Sequence, residues 1–109
     1  MDNIKNDSYY IGKITENIDF IIAHTANVNI DDFSSDEVLQ DSMMFRLIQI
    51  SENSIKLSEE YKESRKDIPW RNISGLRNRI VHDYGNVDFR VVFDTLTKDI
   101  PDLKVLFAK

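Results

Sequence analysis

A chain of 109 residues is the size of one domain and has no room for a second core. Its 41% hydrophobic content, with three glycines and two prolines, excludes a disordered or turn-rich chain, and the absence of cysteine excludes disulfide frameworks and thiolate metal sites. A net charge of −5 disfavours nucleic acid over the molecule as a whole, yet Lys62 to His82 carries +4 and the remainder −9, so a local basic patch or a merely solvated charged face is expected there.

The first ten residues, MDNIKNDSYY, lack the apolar core of a signal peptide, and no aliphatic run is long enough for a membrane span. A soluble, cytoplasmic protein without membrane contact is expected. Ile11, Ile14, Ile18, Ile21, Ile22 and Thr25 recur at three- and four-residue spacing, which predicts a first helix over about Asn3 to Ala26. NVNIDDFSSDE then reads as a loop or short turn, with Ser35 starting the next helix and Asp36 and Glu37 in its first turn.

That second helix is expected over about Asp36 to Ser64. Met43, Leu47, Ile50, Leu57 and Tyr61 form one apolar line, and Met44, Ile48 and Ile55 lie a quarter-turn round. One neighbour cannot cover both, so the helix is either enclosed by its own chain or touches a second copy. Small Ser51, Ser54 and Ser58 would let a partner helix come close.

Pro69 forces Ile68 out of helical geometry and restarts the chain, predicting a third helix from about Arg71 to Asp83 with Ile73, Leu76 and Ile80 buried. Gly85 and Asn86 are suited to the left-handed conformation that ends it. Asp88 caps a fourth helix whose inward stripe is Phe89, Val92, Phe93, Leu96 and Ile100; Pro101 kinks it or begins a short fifth helix ending at Phe107. The pattern predicts an all-α fold, an up-and-down antiparallel bundle of four main helices plus a short C-terminal helix, in a single domain over residues 1–109.

Chemistry concentrates in SGLRNRIVHDYG, residues 74–85. Arg77 and Tyr84 are seven apart and project alike; Asn78 and His82 are four apart and are neighbours. Arg77 and His82 lie about 140° apart and about 7.5 Å along the axis, so they flank a face without touching. Two copies of the helix about a two-fold axis would bring the Arg of one and the His of the other into a single cleft. Histidine can take a proton from a hydroxyl and return one to a leaving oxygen, while the arginine fork matches a phosphate. The pair suits metal-free RNA cleavage through the neighbouring 2′-hydroxyl. The alternative is that His82 answers the negative end of its helix dipole and the arginines are plain surface. His24 reads as structural or surface.

RNRIVHDY resembles the R-x-x-x-x-H-x-Y signature of HepT-like proteins in the HEPN ribonuclease superfamily. RLIQISENSIKLSEE, IPWRNISGLRNRIVHDYGNVD and DIPDLK agree with that family in order and spacing, so the likeness covers nearly the whole chain. The resemblance implies a HEPN-like homodimeric bundle with its cleft between protomers, acting as a toxin on RNA and needing no cofactor. By position it implies that Arg77 and His82 are the catalytic pair, that Asn78 and Arg79 bind or orient substrate, and that Tyr84 is modified. The modifying partner would be a minimal nucleotidyltransferase antitoxin of the MntA type, which transfers AMP to the tyrosine and so fills the cleft with bulk and negative charge. Ser51 and Ser54 depart from the Gly and Ala frequent in relatives, which bears on how closely the helices pack. The rival reading is a non-catalytic helical subunit that docks on a nucleotidyltransferase.

Overall fold

The computed structural model describes residues 6–83 and 88–109, with the side chains of 81–83 outside that description. The described residues form an all-α bundle without strands: α1 (Asp7–Thr25), α2 (Ile30–Ser34), α3 (Glu37–Ile55), α4 (Glu59–Ser64), α5 (Trp70–Asp83), α6 (Phe89–Asp94), a π-helical turn (Thr95–Asp99) and α7 (Ile100–Phe107). α3 is central, with α1 packed on one side and α5 on the other, and α7 lies against α1. Met43, Met44, Leu47 and Ile50 of α3 are thus covered within the chain.

The α1 stripe is as expected, since Ile14, Ile18 and Ile21 are fully buried and Thr25 nearly so. Opposite them sit Met43, Met44, Leu47 and Ile50 of α3, and Leu96, Ile100 and Leu103 close the core from the C-terminal segment. Ile55, expected on an apolar line, is instead half exposed, and Val38 and Phe45 are exposed on the same helix.

Three boundaries differ from the sequence reading. The NVNIDDFSSDE segment holds a one-turn helix: Asn29 accepts from the Asp32 N–H at 2.8 Å while Asp32 accepts from the Asn29 N–H, a reciprocal cap that frees Phe33 to enter the core. The next helix is capped by Asp36, which accepts from the Leu39 N–H, and not by Ser35.

The expected single helix over 36–64 is broken at residues 56–58. Ser58 leaves helical geometry, accepts from the Tyr61 N–H to cap α4, and gives its hydroxyl and its own N–H to Asp7 at 2.6 and 2.9 Å. Those two bonds hold the Asp7 carboxyl below its usual pKa and tie the start of α1 to the break. Ser58 therefore ends one helix and starts another, and does not serve as a small contact residue. The expected termination of α5 at Gly85 and Asn86 lies outside the described residues.

Pro101 falls on the second position of α7, directly after the π-helical turn. In that turn the Ile100 N–H reaches back five residues to the Thr95 carbonyl. The fourth and fifth expected helices are thus one path, widened where the proline joins it.

Ser51 and Ser54 behave as small contact residues. Both are fully buried, and Ser51 lies against α5. The Ser51 hydroxyl donates to the Ser74 carbonyl at 2.9 Å and accepts from the Arg77 N–H at 3.3 Å, while Ser54 donates to the Ser51 carbonyl. Ser51→Ala, which removes the donor, should cost about 1 kcal/mol. Ser51→Leu must force α5 off α3 and should cost about 1–3 kcal/mol or more. Urea unfolding of both variants checks this order; an unchanged midpoint for Ser51→Leu would contradict the close approach.

Candidate functional site

α5 starts at Trp70, whose indole N–H bonds the Arg65 carbonyl at 3.0 Å, and Ile73 and Ile80 point into the core. With those two residues buried, the helix turns Arg77, Asn78 and Arg79 outward, and all three are exposed. The Ser51 hydroxyl on the Arg77 amide fixes where along α3 this residue stands.

The residue after Ser51 completes the arrangement. Glu52 forms an ion pair with Arg77 through the guanidinium Nε. This partner lies 25 positions away in sequence, and no local pattern marks it. Glu52 meets the guanidinium at Nε, on a side chain that carries five N–H donors in all.

The sequence-predicted residues do not all gather. Arg77 faces α3 through Glu52. Arg79 sits about 200° further round, lining a separate groove with Asn72, Leu76, Asp99, Asp102 and Leu103, where it reaches the Asn72 carbonyl at 3.5 Å. Within one copy Arg79 is therefore not brought together with Arg77. Asn78 is exposed between them. His82 lies in the last turn of α5, and its side chain falls outside the described residues, as does Tyr84 altogether.

Among the described residues no three His, Cys, Asp or Glu side chains are grouped to hold a metal ion, a statement that leaves out His82 and Asp83. Nor is any helix among them long and apolar enough to cross a membrane. The remaining histidine, His24, is exposed; it stacks on Phe20 at 3.9 Å with Nδ1 2.8 Å from the Phe20 carbonyl, as expected of a surface residue.

Residues 14–109 match the model of the ribonuclease HepT-like family, a span that contains the whole of α3 and α5 and the Glu52–Arg77 pair. The chain belongs to the ribonuclease HepT-like family. Similar proteins include a candidate RNase of Caldanaerobacter subterraneus subsp. tengcongensis, 30% identical over 101 residues, covering 93% of this chain and 90% of that one. A probable ribonuclease HepT of Thermococcus cleftensis is 34% identical over 100 residues, covering 92% and 91%. A gamma-glutamylcyclotransferase and candidate RNase of Methanocaldococcus jannaschii is 32% identical over 100 residues, covering 92% of this chain and 45% of the longer one. No solved structure matches the chain significantly.

In this HepT-like chain the side chains of Arg77 and Glu52 are 46% and 37% exposed, so solvent screens their attraction. A double-mutant cycle of Glu52→Gln and Arg77→Gln should give a coupling below about 1 kcal/mol that shrinks further in high salt. Urea unfolding at two ionic strengths measures it. A larger, salt-insensitive coupling would make the pair a stabilising element.

Proposed function

We propose that this HepT-like chain is a ribonuclease toxin. In this reading it acts as a homodimer that cuts RNA without a metal ion, using Arg77 and His82 from facing copies of α5. The observation that carries it is the guanidinium of Arg77, presented at the surface, fixed in position along α3 by Ser51 and held at Nε by Glu52. The named relatives, which are described as RNases, support the same substrate class.

The chemistry needs only these groups. His82 takes the proton of a 2′-hydroxyl, and the freed oxygen attacks the adjacent phosphorus. Arg77 carries the added negative charge of the five-coordinate phosphorane. An imidazolium then returns a proton to the departing 5′-oxygen, leaving a 2′,3′-cyclic phosphate and a 5′-hydroxyl. Asn78, one turn below His82, orients the ring or the substrate. Arg79, on another face of its own helix, binds RNA at a distance from the scissile bond.

Purified protein should cleave single-stranded RNA in EDTA, and Arg77→Ala and His82→Ala should each lower the rate about 10²- to 10⁴-fold. A 2′-deoxy substrate should resist, since the nucleophile is missing. Equal degradation by wild type and His82→Ala sinks the nuclease reading.

Control in this reading falls to a minimal nucleotidyltransferase that transfers AMP to Tyr84, placing an anionic group where an RNA phosphate should sit. Co-expression with such an enzyme should add whole AMP units by intact mass, and Tyr84→Phe should abolish the gain; mass retained in that variant removes Tyr84 as the acceptor. The net charge of −5 favours a second reading, a non-catalytic subunit that only docks on the transferase. Expression would then be harmless to the cell, and Arg77→Ala would change nothing.

A further inference from the structure

A groove of about 540 Å³ runs between α1 and α3, and its lining is unlike the rest of an acidic molecule. On the α1 side stand Tyr9, Tyr10 and Lys13; on the α3 side stand Phe45, Arg46 and Lys56. Two of its cations lie beside rings. The Lys13 ammonium lies 5.7 Å from the Tyr9 ring centroid and Lys56 5.9 Å from that of Tyr10. The Arg46 guanidinium lies over the Phe20 ring, 3.6 Å from its centroid, and donates a 3.1 Å bond to Asn17. Tyr9, edge-on to Tyr10 at 5.3 Å, keeps 40% exposure, and Phe45, of a type normally buried, keeps 54%.

The groove also meets the candidate site. Glu52 lines it and is the same residue that holds Arg77. Its other carboxylate, Glu16, is paired with Lys13 at 3.5 Å. The lining holds three cations, Lys13, Arg46 and Lys56, against the two carboxylates, a small local positive excess on a chain of net charge −5. From Phe45 to Lys56 the α3 wall extends for about 16 Å, the span of a few nucleotides.

We propose that this groove is the binding path for single-stranded RNA leading to Arg77. Bases stack on Tyr9 and Phe45, and backbone phosphates lie against Lys13, Arg46 and Lys56. Stacking rings beside a cationic track are how sequence-tolerant single-strand sites are built. The polar, charged lining fits this occupant better than an apolar partner helix. The inference deepens the nuclease reading by assigning its substrate a path, and it rests on that reading only for the cleavage step.

The test separates binding from cutting. Anisotropy of a fluorescein-labelled 2′-O-methyl oligonucleotide, which lacks the nucleophile, is measured with the full chain. Tyr9→Ala and Phe45→Ala should each weaken binding about 5- to 100-fold, and Tyr9→Phe should restore it. Lys13→Ala and Lys56→Ala should each flatten the log Kd against log salt slope by about 0.7. Lys98→Ala, an equal charge loss outside the groove, should match wild type in affinity, with thermal melts confirming that every variant is folded. Affinities unchanged in the groove variants, or lowered no more than in Lys98→Ala, overturn the proposal. So does a change in sedimentation mass without a change in RNA affinity, which would make the groove a contact between copies. If wild type cuts no unmodified RNA while the groove variants still lose binding, the nuclease reading fails and the groove stands; if it cuts RNA and the variants bind normally, only the groove fails.

Discussion

One hydroxyl sets the relation between the two helices that matter. Ser51 is fully buried and bonds two backbone groups of α5, the Ser74 carbonyl and the Arg77 amide. A larger side chain there would separate the helices, and an apolar one of equal size would leave their relative height unspecified. Because the bond lands on the amide of Arg77 itself, the helix is registered at the residue whose side chain carries the charge. Glu52, next in the chain, then reaches the guanidinium without any further adjustment. Packing and electrostatics here are consecutive residues of one helix.

The same register arranges the rest of the molecule in sides. With Ile73 and Ile80 in the core, successive outward positions of α5 are distributed around the helix, so Arg77 turns toward α3 and Arg79 toward the C-terminal segment. A helix cannot bring residues two apart to one point. Arg77 and His82, five apart and so about 140° round from one another, likewise cannot meet within one copy, which is the physical reason a second copy enters the proposed mechanism.

The sequence carried most of the fold because its information was local. The α1 stripe, the helix start after Pro69, the Asp88 cap and the buried α3 methionines all follow from spacing and side-chain type within one element. Where it misled, two tendencies competed in one stretch. Around Leu57 the apolar period continued, but Ser58 found a better partner in Asp7, 51 residues away. Near Asn29 the polar composition spoke for a loop, while a reciprocal Asn29–Asp32 cap made a helical turn that brings Phe33 inward. At the site, Arg77 was legible as a residue type with a motif around it, whereas Glu52 was not. Its role exists only once α3 and α5 are side by side.

The π-helical turn before Pro101 has a bearing on how this chain tolerates length changes. A turn of that kind holds one residue more than a regular helical turn, so everything after it is rotated by about 100° relative to an uninterrupted helix. Ile100 and Leu103 meet the core in that rotated frame. Deleting a single residue from Thr95–Asp99 would yield a smoother helix and a worse protein: both side chains would swing toward solvent, and in a regular helix the Pro101 ring would press on the carbonyl four residues before it. The irregularity is the phase setting of the C-terminal helix.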